Sequence, residues 1–412
     1  MRRGGIGGLS DRPAGGGRDK RGRGNRVTRQ NRADAAERVA PVVGRGVERR
    51  LELIAFVPYP PDTTPSQRFR IEQWTGVLEQ LGIRVSLAPF ADARLMSLLY
   101  QPGRTAQKIA GVIAGFTRQL GRVARAGRGD AILIHRTACL AGPALLERML
   151  TLWRRPVLFD FDDAIYLRHT SGANRMFDWL KLPGKTAALC RLSTLVVAGS
   201  EYLAAYARRH NPRVVVVPTS IDTDLYAPAE PEERSGRVTI GWTGSATSLT
   251  YLEEFAPVLR GLLRRRDVEI RVQSNRRPEL PGVPVVWQPW SPATEIQEIR
   301  RYDIGIKPMP DDPWARGKCP MKELQYMALG VPAVCSASGS SAEAIRDGEN
   351  GFLAASADQW LEHLTRLVDD PALRRKIGLA GQQTVEERYS MRKCANRFAE
   401  VLRSIVENGH GR

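Results

Sequence analysis

The sequence predicts an α/β protein built from two doubly wound domains in tandem, facing a central cleft. Three observations carry this prediction. The chain has 412 residues, too many for one hydrophobic core. Short β-branched runs alternate with amphipathic stretches, the pattern of a parallel sheet covered on both faces. The alternation stops at residues 222–237, rich in Pro, Glu and Asp, and then restarts. Such an arrangement leaves a cleft at the carboxyl ends of both sets of strands, where ligands bind.

The elements follow in order. Residues 1–50 hold 14 Lys/Arg against 5 Asp/Glu, half of the net +18, and 11 of the 38 glycines. That composition buries too little apolar surface to offset its ordering entropy, so 1–48 is expected to be a disordered Arg/Gly-rich basic tail. A solvated extension is the plain reading, and contact with RNA or anionic lipid the other. Strands are expected at Leu51–Val57, Ile83–Leu87, Ala131–Ile134, Val157–Phe159, Leu195–Val197 and Val214–Val217, forming an N-terminal domain over 49–221. Ile71, Trp74, Leu78 and Leu81 mark a helical stripe between the first two. Beyond the linker, 222–237, strands at Val238–Gly241, Val268–Val272, Val285–Trp287, Ile304–Ile306 and Val331–Cys335 build a second domain, 238–385. From Asp358 the pattern is helical, and 386–412 form the last helix.

No apolar run approaches the roughly 18 residues of a membrane span and no signal-peptide core opens the chain, so a cytoplasmic location is expected. Cys139, Cys190, Cys319, Cys335 and Cys394 are odd in number and widely spaced, which argues against a disulfide framework or a zinc site. Outside the tail the charge is modest. The folded part carries no RNP, KH or zinc signature, which points away from nucleic acid.

The most informative chemistry is in 318–330, Lys-Cys-Pro-Met-Lys-Glu-Leu-Gln-Tyr-Met-Ala-Leu-Gly. Pro320 suits a helix start and Gly330 its end, which sets Lys318 and Lys322 at the positive end of a helix dipole. Two cations there oppose the dipole and each other. Either both extend into water, or a bound anion lies between them. A second anion site is expected where Gly241-Trp-Thr-Gly-Ser-Ala-Thr-Ser248 joins a strand to a helix. There Gly244 permits a tight turn, Ser245 and Thr247 offer hydroxyls, and Thr250 and Glu253 have capping-box spacing. Neither a P-loop nor a Gly-x-Gly-x-x-Gly fingerprint is present.

In the first half, Arg68 and Arg70 follow a strand and open a helix. They favour a bound phosphate or carboxylate, with a solvated pair as the alternative. Asp160 and Asp162, at another strand's carboxyl end, are placed to orient a ligand hydroxyl, and Asp163 to line the same site or cap the next segment. His135 and His169 lie near this edge, where a structural role is the commoner one. One acidic run does not make an octahedral Mg²⁺ site, so no metal is expected.

At this point the residues carry a resemblance. Asp303-Ile-Gly-Ile-Lys-Pro, Lys318-Cys-Pro-Met-Lys322, Ala328-Leu-Gly-Val-Pro332 and Glu343-Ala-Ile-Arg-Asp-Gly-Glu-Asn-Gly351 resemble the C-terminal domain of family 4 glycosyltransferases. Ala198-Gly-Ser-Glu-Tyr-Leu and Val217-Pro-Thr-Ser-Ile-Asp222 are similar to the end of that family's first domain and its hinge. The resemblance spans roughly 51–405. It implies Rossmann-like domains in the GT-B arrangement, with the final helix crossing back to the first domain. It also implies a retaining, metal-independent hexosyltransferase that uses a nucleotide sugar as co-substrate and no other cofactor, in polysaccharide or cell-envelope biosynthesis.

Departures from the family are specific. The loop 243–248 lacks the Arg and Lys many members carry, and the family's paired glutamates fall at Gly317 and Gln325. Lys318 and Lys322 therefore take over the diphosphate by resemblance, and Gln325 is left to meet ribose hydroxyls as a neutral amide. Gln273-Ser274-Asn275 and Trp287–Trp290 fall where the base would lie, with Trp290 as core or stacking platform. Glu343 either contacts the donor or caps a helix. The expected set is Lys318, Lys322 and Asp162 for catalysis, and Gly244, Ser245, Thr247, Ser274, Gln325 and Glu343 for the donor. Arg68, Arg70, Asp160, Asp163 and His169 make up the acceptor set. A sugar-nucleotide epimerase and an inactive glycan-binding scaffold are the alternatives.

The acceptor is expected to be a glycan or a lipid-linked sugar. Residues 104–125 read as a basic amphipathic helix, with Ile109, Val112, Ile113, Phe116, Leu120 and Val123 on one stripe. Arg104, Lys108, Arg118, Arg122 and Arg125 fall nearly opposite. The stripe is expected to pack on the sheet with the basic face in solvent, which leaves that face and the tail to touch an anionic inner membrane surface.

Overall fold

The structure, a computed structural model, describes residues 49–409 except 100, 102, 168–183 and 229–235. The expected tail, 1–48, and the acceptor candidate His169 lie outside the described residues.

Two six-stranded parallel sheets form the frame. The first holds β1 (Leu51–Val57), β2 (Ile83–Pro89), β3 (Ala131–His135), β4 (Val157–Phe161), β5 (Leu195–Ala198) and β6 (Val214–Val216). Its order is β2-β1-β3-β4-β5-β6. Helices α1 (Pro65–Arg70), α2 (Thr75–Gln80), α3 (Ala93–Leu99), α4 (Thr105–Val123), α5 (Leu145–Leu150), α6 (Gly184–Leu192) and α7 (Glu201–Arg208) connect the strands. The second sheet holds β7 (Val238–Gly244), β8 (Val268–Ser274), β9 (Val285–Pro289), β10 (Ile304–Lys307), β11 (Ala333–Ser336) and β12 (Phe352–Ala354). It is ordered β12-β11-β10-β7-β8-β9. Its helices are α8 (Ala246–Glu254), α9 (Ala256–Leu263), α10 (Glu295–Ile299), α11 (Pro313–Arg316), α12 (Met321–Ala328), α13 (Gly339–Ala344), α14 (Ala357–Asp369) and α15 (Pro371–Arg388). Helix α16 (Met391–Gly409) ends the described chain.

Every residue of β3, β4 and β10 is buried, as continuous apolar runs require when helices cover both faces. Strand order reverses between β1 and β3 in one sheet and between β7 and β10 in the other. Those reversals open the crevices that hold ligands in such sheets.

The final helix returns to the first domain. Cys394, Phe398, Leu402 and Val406 bury against Leu53, Ile71, Trp74 and Leu78, and the Phe398 and Trp74 rings stand 5.5 Å apart. It begins later than the 386 expected, because α15 runs on to Arg388. The chain turns at the buried Tyr389, whose carbonyl accepts from Ile221 N at 2.9 Å, while Met391 N donates to Ile221 O at 2.8 Å. Among the described residues, no helix is long and apolar enough to cross a membrane.

Candidate active site

The site assembles at the two strand-order reversals. In the C-terminal half β7 ends in Gly244. A Cβ there would lie 2.7 Å from Lys322 Cε and 2.7 Å from the Trp242 ring, so only glycine lets Lys322 lie across the strand end. Lys322 Nζ sits 4.7 Å from the Trp242 ring centroid and donates to Ser248 Oγ at 3.1 Å. Burial, then the nearby charges of Lys307 and Lys318, push the Lys322 amine down to about 7. Lys318 Nζ stands 5.0 Å from the Trp314 ring. The two cations stand at the start of α12, and among the described residues no carboxylate is salt-bridged to either.

Beneath them Lys307, buried at the end of β10, donates to Glu323 Oε1 at 2.6 Å and to Ser341 Oγ at 3.1 Å. Burial lowers the Lys307 pKa, but Glu323 more than offsets it and holds the amine above its ordinary value. Lys307 thus stays charged below the site and disfavours a proton on Lys322. Sequence reasoning missed this pair and Ser248. Its one signal was a lysine ending an otherwise apolar strand.

The N-terminal half carries a polar network. His135 Nδ1 lies 2.7 Å from Asp160 Oδ2, and His135 Nε2 lies 3.2 Å from Ser66 Oγ. Ser66 Oγ donates to Asp162 Oδ1 at 2.7 Å, and Arg136 Nε reaches the same oxygen at 2.9 Å. Arg136 also pairs with Asp163. Its φ of 59° is a left-handed backbone that costs a non-glycine residue about 1–3 kcal/mol. Burial would raise the Asp162 carboxyl, yet Arg136, His135 and Arg70 hold it well below the usual range. Asp162 Oδ2 is buried without a hydrogen-bond partner.

The two halves meet across the cleft. Gly317 packs on Ala164, where a Cβ would approach the Ala164 Cβ to 2.4 Å. Burial, then Asp162 and Asp163, push the Cys319 thiol up to about 12, which sets these carboxylates within electrostatic reach of the 318–322 segment.

Several expected contacts take other partners. Arg70 and Asp160 are fully enclosed and ion-paired, with Arg70 also bonded to the Val217 carbonyl. They brace the network and present no charge to an acceptor, because each neutralises the other's burial cost. Arg68 stays partly exposed, with Nη2 3.8 Å from Glu295 Oε2. Ser274 is also corrected. It is buried, donating to Arg276 O and accepting from Trp287 Nε1 at 3.2 Å. Glu343 caps a helix, but across the cleft: its carboxylate accepts from Glu201 N at 3.1 Å and Tyr202 N at 3.2 Å, at the start of α7.

Gln325 Nε2 donates to Tyr226 OH at 3.1 Å, and that hydroxyl donates to Glu295 Oε2 at 2.8 Å. Trp290 Nε1 donates to Glu295 Oε1 at 2.9 Å, which ties the indole down. Helix α8 begins at Ala246, with Asn275 Oδ1 accepting from Ala246 N at 2.7 Å. That early start places Thr250 inside the helix, and Glu253 pairs with Arg276, so no capping box forms. Ser245, the residue before α8, and Thr247, in its first turn, are exposed. Among the described residues, no group of three or more His, Cys, Asp or Glu side chains is placed to hold a metal ion.

Comparison with known proteins gives the following. Residues 249–370 match the family described as Glycosyl transferases group 1. The GDP-mannose-dependent monoacylated alpha-(1-6)-phosphatidylinositol monomannoside mannosyltransferase of Corynebacterium glutamicum is 22% identical, over 55% of this chain and 67% of that protein. Sucrose-phosphate synthase from Thermosynechococcus elongatus superposes with a TM-score of 0.65 at 14% identity, covering 87% of this chain and all of that one. Anabaena Alr3699/HepE in complex with UDP and glucose gives 0.62 at 16%, covering 86% and all.

Proposed function

We propose that this chain, which carries a glycosyl transferases group 1 domain on a GT-B fold, moves a hexose from a nucleotide-diphosphate donor to an acceptor hydroxyl, with retention and without a metal. The observation that carries the reading is Lys322. It is a buried amine with its pKa lowered to about 7, held over Gly244 beside a second cation, facing a network of acids and a histidine across the cleft. An amine so placed gains a proton when an anion arrives.

As the donor's glycosidic bond stretches, negative charge grows on the leaving diphosphate. Lys318, Lys322 and the backbone N–H groups around Gly244 stabilise it, and one preorganised donor of this kind is worth about 3 kcal/mol. Asp162 Oδ2, the unpartnered acceptor atom opposite, orients the incoming hydroxyl. The departing phosphate takes that hydroxyl's proton from the same face, which is what retention requires. Ser66, His135 and Arg136 fix Asp162 in position and keep it ionised. Metal independence fits the acids, since Asp160 already holds Arg70 and His135, and Asp162 and Asp163 hold Arg136.

The Corynebacterium relative's name gives a GDP-mannose donor and a glycolipid acceptor, and the HepE structure holds UDP and glucose. A nucleotide hexose and a glycan or lipid-linked acceptor are the substrates we assign here. The test is a thermal-shift screen of UDP- and GDP-hexoses, since a donor stabilises the native state by mass action. Transfer is then measured in EDTA, with the product anomer read by NMR. Transfer with an inverted anomer or lost in EDTA refutes the mechanism. Turnover of donor without acceptor supports an epimerase instead.

A further inference from the structure

Helix α4 packs most of its apolar stripe on the core, as the wheel predicts, but is turned so that Ile109 and Ile113 face outward and part of the basic side faces in. Its cations turn inward and bind the domain's own carbonyls. Lys108 Nζ donates to Gln101 O at 2.6 Å, Arg118 Nη2 to Phe90 O at 3.0 Å, and Arg122 to Pro89 O. Gly111 and Gly115 make this face thin, since a Cβ on either would come within 2.9 Å of Leu95 or Phe90. The helix therefore lies close enough for long cationic side chains to reach the end of β2. Ile109 and Ile113 are left outward, 49% and 59% exposed, while Val112, Phe116 and Leu120 lean on the core.

These two isoleucines are not isolated. Helix α5 packs beside α4, and the 3-10 turn Thr151–Trp153 follows it. Leu145, Leu152 and Trp153 there are 52%, 77% and 41% exposed. One corner of the domain thus holds five of the eight large apolar side chains exposed among the described residues. Trp153 is fixed, its indole N–H bonded to Val123 O at 2.6 Å.

The surrounding charge is mostly positive, with Asp92, paired to Arg118 at 3.1 Å, as the acid at its edge. No acidic residue occurs between Ala93 and Gly129, and the only one between Cys139 and Phe159 is Glu147, which is buried against Lys185. Arg125, Arg128, Arg148 and Arg154 are exposed, with no ion-pair partner among the described residues. A second copy on this face would set arginines against arginines. Apolar side chains with a rigid tryptophan and a cationic rim match the boundary between acyl chains and phosphate headgroups.

We propose that this corner seats the protein on an anionic lipid surface, with Ile109, Ile113, Leu145, Leu152 and Trp153 entering the headgroup boundary. The face adjoins the acceptor half of the cleft. Gln119 of α4 donates to Ala138 O at 3.1 Å, and Glu147 of α5 accepts from Ala138 N at 3.0 Å, three residues beyond His135. A lipid-borne acceptor would meet the network without leaving the membrane.

The full chain is sedimented with vesicles of phosphatidylcholine and phosphatidylglycerol, at low salt and at about 0.5 M salt, where the Debye length falls to about 4 Å and long-range attraction is screened. Neither donor nor acceptor is present, so the result is independent of the transferase reading. The wild type should stay bound at high salt. Ile109→Asp with Ile113→Asp and Leu152→Asp, with an unchanged melt, should bind at least tenfold more weakly there. Leu379→Asp, an equally exposed apolar site on α15, should bind as wild type. Wild-type binding that vanishes at high salt would assign the attachment to simple electrostatics and overturn the proposal. So would a triple variant that binds like wild type, or one that only converts a dimer to a monomer in light scattering.

Discussion

Raising the pH from 6 to 8 should weaken donor binding about tenfold through one residue. Burial and the neighbouring Lys307 and Lys318 bring the Lys322 pKa from the ordinary 10.5 down to about 7. Glu323 and Cys319 are the other titratable groups acting on it. Free Lys322 is about 90% charged at pH 6 and about 10% charged at pH 8, and a diphosphate between the two amines restores the proton. Affinity should be level below pH 7 and fall above it, losing about 1.4 kcal/mol by pH 8. A nucleotide sugar is the right probe, because the terminal phosphate of a free nucleoside diphosphate titrates near about 6. Titration calorimetry in buffers of different ionisation enthalpy should show about one proton taken up per donor bound at pH 8 and almost none at pH 6. Lys322→Arg, charged throughout, should remove the pH dependence, and Lys318→Ala should move the midpoint upward. Stability runs the other way in the absence of donor. The unfolded chain binds the extra proton between pH 7 and 10.5, so the penalty present below 7 is relieved as pH rises through that window. Flat wild-type affinity from pH 6 to 8, with binding lost in Lys322→Ala, would refute the argument, since the amine would then be charged before the donor arrives.

Further expectations follow from the same geometry. Asp162→Asn should lower kcat at least tenfold with donor affinity within about twofold, as steady-state kinetics with varied donor will show, because the change is confined to the acceptor side. Arg70→Met should cost about 3–5 kcal/mol of stability by leaving Asp160 buried without its main partner, measured by urea unfolding; a loss under 1 kcal/mol would contradict the bracing role. Gly317→Glu, which restores the acid of the related enzymes, should impair rather than improve turnover. Its Cβ would meet Ala164 at 2.4 Å and force the halves apart, which small-angle scattering would register. Glu343→Gln should weaken the cap on α7 by about 0.5–1 kcal/mol, read from the melting temperature.

Local pattern by itself determined much of this protein. Apolar runs of three to seven residues separated by amphipathic stretches specify parallel strands, and they fell on the observed β1 to β11 within a few residues, because a strand covered on both faces keeps most of its positions apolar. The paired lysines were legible too, since their conflict with the start of α12 is a nearest-neighbour matter. Other features needed the tertiary structure. Arg70 reads like Arg68 in sequence, yet one is enclosed with Asp160 and the other is not, because that ion pair joins residues ninety positions apart. Ser66 comes from helix α1, His135 from the end of β3 and Asp162 from just past β4, and no local period links them. The wheel of 104–125 correctly separated apolar from basic residues, but a helix does not encode which side faces its own domain. Gly111 and Gly115 settled that by letting α4 approach so closely that its cations found backbone carbonyls, leaving the isoleucines outside. What the chain alone determines is set by contacts within a turn or a strand; what the fold decides is which of two chemically possible partners a long polar side chain meets.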